Sequence, residues 1–505
     1  MKYLYTNKEA KAIDTHAICT VGIPSLVLME KAAMTIAAVL MERENRDMRI
    51  LAVCGAGNNG GDGIAAARIL HQQGYTAAVT VIGETDKMTA ETKKQLEIAI
   101  NCHVPVLPLS AITDGQFDIM LDGIFGIGLS REVEGVYEQI IDEINESGAK
   151  IYALDIPSGI HAGTGAVLNT AVRAECTITF GVNKIGLVLY PGCEYAGEVI
   201  VGDIGFPKES VHSVNSHSYF YEVEDFARLP ERPANSHKGS FGKVLIAAGS
   251  ETMSGACYLA AKAAYSMGAG LVRVVSTDNN REILLSSLPE ILFSSRDEIS
   301  EAVDWADTIV AGPGLGLSKE SEELMKYIIE NSPVPTVIDG DGIRLCRNLT
   351  ETLTDNFILT PHVKEMSYLT GISVGELKKD ILGTTGKAAQ DWKCTIAQKD
   401  ARTVVSDGRD CYVNVSGNNG MATGGSGDVL AGMIGGLLGQ HMEPFEAAKL
   451  GVYLHGMSGD IMAEEKGTYS LMASDIITGI SRISGLYCRK EGYTAEKREA
   501  YCERI

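Results

Sequence analysis

Arg49-Ile50-Leu51-Ala52-Val53-Cys54-Gly55-Ala56-Gly57-Asn58-Asn59-Gly60-Gly61-Asp62-Gly63 is the stretch whose reading decides the fold. The apolar run 49–54 predicts a strand and residues 64–70 read as an amphipathic helix, so the glycines between them make a strand-to-helix turn. Five glycines in residues 54–63 let the backbone approach an anion, and the exposed amides at the start of the next helix can donate to it. Asn58, Asn59 and Asp62 add side-chain amides and a carboxylate that a plain turn does not need.

Working outward, the pattern of apolar run, turn and amphipathic run repeats downstream: 76–82 then 89–100, 117–121 then 136–147, and finally 150–154. Such alternation predicts a mostly parallel sheet covered by helices. Upstream, residues 7–41 read as two helices, the second with Leu28, Met29, Ala32, Ala33, Ile36 and Ala37 at helical spacing. Prolines at 207, 230 and 233 and the polar string 210–217 break the periodicity between 206 and 240. A second alternating series starts at Lys243, with strands expected at 271–276, 308–311, 336–338 and 357–359. The expected division is a first domain over 1–215, a linker over 216–223 and a second domain over 224–505. Residues 487–505, rich in Lys, Arg and Glu, read as a solvated terminal helix or frayed tail.

Composition narrows the partners. Of 505 residues, 44 are Lys or Arg and 65 are Asp or Glu, giving a formal charge of −21. No dense basic cluster interrupts that excess, so nucleic acid is not an expected partner. The N-terminal segment has no signal-peptide-like apolar core, and no apolar run reaches the ~18 residues of a membrane span. A cytoplasmic protein without membrane contact is expected. The 11 cysteines are odd in number, scattered and free of Cys-x-x-Cys pairs, which predicts reduced thiols rather than disulfides or a metal site.

Two more carboxylates stand at predicted strand ends. Asp122 leads into Gly123-Ile124-Phe125-Gly126-Ile127-Gly128, and Asp155 leads into Ile156-Pro157-Ser158-Gly159. Ligands of open α/β sheets bind outside the carboxyl ends of the strands, so these ends and the 54–63 turn are expected to share one pocket.

Together GNNGGDG, DGIFGIGLSRE, DIPSG, TFGVNKIGL and YPGCEYAGEVIVGDIGFP resemble the NAD(P)H-hydrate epimerase domain, over about residues 7–214. The resemblance implies that Asn58, Asn59, Gly60, Gly61 and Asp62, with Gly126, Ile127, Gly128, Leu129, Ser130, Arg131, Glu132 and Asp155, bind the hydrated dinucleotide. It also implies a potassium ion held by Asn59, Asp122 and Ser158, whose oxygens suit a hard cation. Epimerisation at the hydroxyl-bearing carbon passes through a planar intermediate and needs a proton carrier. Asp155 is the first candidate, with Lys184 holding its charge or stabilising a developing anion; which of them moves the proton stays open.

The second half holds a different pair of anion-binding turns. Gly312-Pro313-Gly314-Leu315-Gly316 follows the strand expected at 308–311, and Gly424-Gly425-Ser426-Gly427-Asp428 opens an apolar helix expected over 429–438. Amides after Gly427 can cradle a phosphoryl group, and Asp428 beside them can take a proton from an attacking hydroxyl. HKGSFGKVLIAAGS, SGACYLAAKAA, SMGAGLV, GPGLG, VIDGDGIRL, LTPHVKEMSYL, QKDART and GNNGMATGGSGDVLAG, in that order, resemble the ADP- or ATP-dependent NAD(P)H-hydrate dehydratase of the ribokinase-like superfamily. The resemblance implies that Ala256, Gly314, Gly316, His362 and Asp428 contact the hydrate, while Lys399, Asp400, Ala401, Arg402, Thr403 and Gly427 line the nucleotide. Glu365 would orient a magnesium ion through water or cap a helix. The family usually reads Lys-Gly-Ala-x-Thr where this chain has Lys399-Asp400-Ala401-Arg402-Thr403, and a solvent-facing Asp400 is expected.

The combined expectation is two three-layer α/β/α domains, the first Rossmann-like and the second ribokinase-like. Together they would restore hydrated NADH and NADPH by epimerising the R and S hydrates and dehydrating the S form. The resemblance points to ADP with Mg2+ as phosphoryl donor, with ATP the other option. The alternative is a C-terminal kinase for a vitamin precursor or sugar alcohol beside a non-catalytic N-terminal binding module. Oligomeric state, a homo-oligomer included, stays open.

Overall fold

The computed structural model describes residues 1–114 and 116–487, so the expected tail beyond Tyr487 lies outside the described residues. The chain divides into two compact units, one of Tyr3–Ser218 and one of Met1–Lys2 with Tyr219 onward.

The first unit opens with helices α1 (Asn7–Thr15) and α2 (Ser25–Arg43). It continues through β1 (Arg49–Cys54), α3 (Asn58–Gln72), β2 (Thr76–Val81), α4 (Ala90–Asn101), β3 (Val106–Leu107), β4 (Ile119–Gly123), α5 (Val136–Glu146), β5 (Lys150–Leu154), β6 (Cys176–Phe180) and β7 (Glu198–Gly202). Its seven strands lie in the order β3-β2-β1-β4-β5-β6-β7, parallel throughout. The period of two puts Ile50, Ala52 and Cys54 into one core with α2 and α3, and Leu51 and Val53 into the opposite core with Ile140, Ile141 and Ile144 of α5. The order reverses between β1 and β4, a Rossmann-like switch point where Cys54 and Gly123 are register partners.

The second unit has β8 (Ser218–Phe220), β9 (Lys243–Ala247), α6 (Ser254–Ser266), β10 (Leu271–Ser276), β11 (Leu292–Ser295), β12 (Thr308–Ala311), α7 (Lys319–Asn331), β13 (Thr336–Ile338), β14 (Phe357–Leu359), α8 (Val363–Thr370), β15 (Thr395–Gln398), β16 (Val404–Ser406), β17 (Cys411–Val413), α9 (Ser426–Gly439), α10 (Pro444–Lys466) and α11 (Ala473–Tyr487). These strands run β8-β17-β16-β15-β14-β13-β12-β9-β10-β11, parallel from β9 to β15 with β16 and β17 antiparallel. Val244 and Ile246 face a core with α6 and α9, while Leu245 and Ala247 face one with α7. Both units are therefore three-layered, as the alternation predicts.

Three expectations are corrected in detail. Asn58–Gly63 and Ser426–Asp428 are the first turns of α3 and α9 rather than loops before them, because glycine there tolerates the helix as well as the turn. Residues 216–223, expected as a linker, contain β8, and Tyr219 and Tyr221 are buried in the second core. Two aromatic side chains in three residues supply burial that a connector lacks. Strands β6 and β7 carry no helix between them of the length the earlier alternation leads one to expect, and periodicity alone missed both.

The nine cysteines among the described residues are free thiols, five of them buried. No described helix is long and apolar enough to cross a membrane.

Candidate active sites

In the first unit the carboxyl ends of β1, β4, β5 and β6 surround a cavity of about 600 Å3. Asn58, Asn59, Asp62, Gly126, Ile127, Gly128, Leu129, Ser130, Arg131, Asp155 and Lys184 line it. Gly60, Gly61 and Glu132 lie outside the lining. A Cβ on Gly60 would stand 1.9 Å from the Gly55 carbonyl oxygen, and one on Gly61 would strike Met29. These two glycines serve the packing of α3, whereas Gly57 and Gly128 face open space.

Asp155 is buried and has φ of 67°, a left-handed conformation that costs a non-glycine residue energy. Its Oδ1 receives Lys184 Nζ at 2.5 Å and the Phe180 amide at 3.2 Å. Lys184 is 2% exposed and also donates to Thr179 Oγ1 and the Phe180 carbonyl, both at 2.8 Å. A surface lysine this is not; it is a buried charge fixed beside its carboxylate. Asp62 has no hydrogen-bond partner among the described residues, and burial, then the charges of Asp155 and Asp14, push its pKa well up. Asp14, on α1, lines the same cavity and is also raised, by burial and then Asp155. Sequence reasoning missed Asp14, because α1 comes before the seven-stranded sheet and follows no glycine-rich turn.

Behind this wall lies an oxygen cluster. Asp122, fully buried, accepts Ser158 N at 2.7 Å and Ser158 Oγ at 2.6 Å. Burial raises its pKa to about 6 against these bonds. Asn59 Nδ2 donates to the carbonyls of Phe125 and Leu154, both at 3.0 Å, which leaves Asn59 Oδ1 buried with no donor. A buried acceptor without a partner is costly, and a cation would satisfy it.

In the second unit, α9 begins after Gly425 and presents Gly427 and Asp428. Burial, then the nearby charges of Asp339 and Asp341, raise the Asp428 pKa to about 7, with Lys399 opposing. Asp339 is buried and pairs with Lys399 Nζ at 2.5 Å. Gly314 abuts Ala256, since a Cβ there would lie 2.8 Å from the Ala256 Cβ, and the Gly316 amide is taken by Asp341 at 2.9 Å. His362 is the N-cap of α8: its Nδ1 accepts the amides of Lys364 and Glu365 at 3.1 Å, and Glu365 accepts the His362 amide at 2.8 Å. That ring nitrogen is committed, leaving Nε2 3.4 Å from Glu365. Burial raises the Glu365 pKa to about 7.

Asp400 is exposed; its Oδ1 accepts the Ala401 amide at 2.8 Å and its Oδ2 lies 3.9 Å from Lys378 Nζ. Arg402 turns to the Val415 carbonyl, and Thr403 is buried with its hydroxyl toward the Asp400 carbonyl. Asp339 and Asp341 were not singled out from sequence. The signal that finds Asp122 and Asp155, a carboxylate at the carboxyl end of a strand, would have found Asp339 after β13.

The family described as NAD(P)H-hydrate dehydratase matches residues 244–482, and that described as YjeF-related protein N-terminus matches residues 25–186. A bifunctional NAD(P)H-hydrate repair enzyme from Thermofilum pendens is 36% identical over 488 residues, covering 91% of this chain and 92% of that protein. A protein of the same name from Moorella thermoacetica is 35% identical over 505 residues, 94% of this chain and 95% of the other. Among solved structures, a ribokinase-like superfamily protein from Enterococcus faecalis aligns with a TM-score of 0.51 at 27% identity, covering 54% of this chain and 97% of that one.

Proposed function

The chain belongs to the family of bifunctional NAD(P)H-hydrate repair enzymes, and from that premise we infer which of its residues do the work in each unit. The matched families favour this reading over a kinase joined to a silent binding module. The observation that carries it is the pairing, on one chain, of a strained Asp155 held by Lys184 over a cavity with an Asp428 of near-neutral pKa at a helix amino end.

In the epimerase unit, Asp155 exchanges the proton needed when the hydroxyl leaves and returns at the ring carbon. Lys184 holds the carboxylate aimed through its 2.5 Å contact. Asn58, Asn59 and Asp62, with residues 126–131, bind the dinucleotide around them. Potassium fits the oxygen cluster: Asn59 Oδ1 lacks a donor, Asp122 supplies charge, and Ser158 supplies a hydroxyl. When bound, such an ion supplies positive charge next to the dinucleotide-binding loops. Replacing sodium by potassium at equal ionic strength should therefore raise the thermal midpoint of this unit, by about 1.4 kcal/mol of stability at tenfold excess over Kd. Asp122→Asn should erase the difference; calorimetry in the two salts measures it.

In the dehydratase unit, Asp428 takes the proton of the substrate hydroxyl, whose oxygen then attacks the terminal phosphorus of the donor. The phosphate ester so formed leaves as phosphate while the adjacent carbon gives up a proton and the ring double bond forms. Phosphorylation thus converts a poor leaving group into a good one. ADP is the proposed donor, giving AMP and phosphate, and Mg2+ would accompany its phosphates with Glu365 orienting it through water. Asp400 faces solvent, so Asp400→Gly should leave ADP affinity within about twofold at low and high salt, since an exposed, screened charge acts weakly. A salt-sensitive gain of about fivefold in ADP titrations would place the carboxylate against the phosphates.

Incubating the purified protein with mixed R and S hydrates and ADP or ATP tests the whole reading. Reduced nicotinamide absorbance should recover from both epimers. A stable phosphorylated small molecule with no such recovery would overturn it.

A further inference from the structure

Three adjacent parallel strands of the second unit each deliver a polar residue one position past their carboxyl end: Asp339 after β13, Thr360 after β14 and Lys399 after β15. The three meet. Asp339 Oδ1 accepts Lys399 Nζ at 2.5 Å and Thr360 Oγ1 at 2.6 Å, and Asp339 and Thr360 are buried. The pair faces the amino end of α9. A Cβ placed on Gly427 would stand 3.1 Å from Lys399 Nζ and 3.6 Å from Asp339 Oδ2. Val429 is the first residue whose amide reaches back to Gly425, so the Gly427 and Asp428 amides precede the helical ladder. Asp339 takes one of the three ammonium protons, and the described residues supply no acceptor for the other two.

We propose that Lys399 is a catalytic residue that contacts the phosphoryl group in transfer, and that Asp339 is a positioning residue that holds its ammonium against the first turn of α9. The proposal rests on the dehydratase reading above. In the step concerned, Asp428 takes the substrate hydroxyl proton and the oxygen bonds to the terminal phosphorus. The bridging P–O bond of the donor breaks, and its electron pair departs on the nucleotide, AMP when ADP is the donor. Charge accumulates on the equatorial oxygens of the transferring group, between the α9 amides and Lys399. Two sources of positive potential converge there, from different strands and helices, in a partly buried site where they act strongly. A lysine that merely gripped the outer edge of the nucleotide would bind ground state and transition state alike.

The same pair acts on the base. Asp428 is faced by Asp339 and Asp341 beyond β13, by Lys399 and by Cys257 of α6, while His455 of α10 packs on the same first turn of α9, its Nε2 3.0 Å from the Ser426 carbonyl. Asp339 raises the Asp428 pKa and Lys399 lowers it. Removing one partner therefore moves the acid limb of the rate profile in the direction opposite to removing the other.

The test uses the full chain with S-hydrate and ADP with Mg2+, measuring kcat against pH, and ADP dissociation separately. Lys399→Met should lower kcat by about 100-fold or more while changing the ADP Kd less than about threefold, and its acid limb should move to higher pH. Lys399→Arg should recover part of the loss. Asp339→Asn should move the acid limb to lower pH at an unchanged ADP Kd. Retained ADP binding shows that each variant is folded, and Lys399→Gln takes the place of a Met variant that does not bind. A Lys399 variant that keeps kcat at saturation and loses only ADP affinity overturns the catalytic assignment. Acid limbs that stay put or move together overturn the positioning role. Wild-type protein that dehydrates with neither donor would instead sink the reading on which this rests.

Discussion

Asp428→Asn lowers dehydration with either nucleotide by about 100-fold or more, the usual cost of losing a general base, while epimerisation continues. The amide keeps the shape of the carboxylate and cannot accept the hydroxyl proton. In the wild type, burial and the charges of Asp339 and Asp341 place this group near pH 7. The base must be ionised to act. Dehydration should therefore fall as pH drops through about 7, approaching tenfold per unit below it, and this limb should be absent from the residual rate of the variant. Activity within a few-fold of wild type, or an unchanged acid limb, would remove Asp428 from the role.

Asp155→Asn slows interconversion of the two hydrates by about 100-fold or more on the same grounds, leaving excess S hydrate to be dehydrated at the wild-type rate. Asparagine is among the few residues at ease in a left-handed conformation, so the backbone at φ 67° is retained. The cost falls on Lys184, which is 2% exposed and loses its charged partner, keeping Thr179 and the Phe180 carbonyl. A stability loss of about 1–3 kcal/mol follows, so the melting midpoint is measured beside the rate. The readout is the slow phase of hydrate consumption in the presence of ADP, which reports conversion of the R form. A slow phase as fast as wild type and above the spontaneous rate would exclude Asp155.

The residues that define the fold class were legible one by one. The apolar runs at 49–54, 150–154, 271–276, 308–311, 336–338 and 357–359 are strands over those bounds, because a strand buried on both faces needs side chains that are mostly apolar. Asp122, Asp155 and Asp428 were legible because a carboxylate beside glycines at a strand or helix end has few purely structural reasons to be there. β6 and β7 were not read as strands from the sequence, since Thr177, Thr179 and Glu198 blur the apolar pattern.

Local sequence thus determined two parallel α/β units and the ends of the elements where chemistry gathers. Tertiary structure alone decided which groups meet there. Periodicity encodes which side of an element is buried, but it does not say which distant side chain faces it. Gly60 looks like a ligand-binding glycine until the Gly55 carbonyl is found where its side chain would be. Asp14 reaches the epimerase cavity from a helix before the first strand of the sheet, and Lys399 finds Asp339 across sixty positions. Strand order makes these pairs, and strand order is fixed by the packing of the whole unit rather than by any one stretch of it.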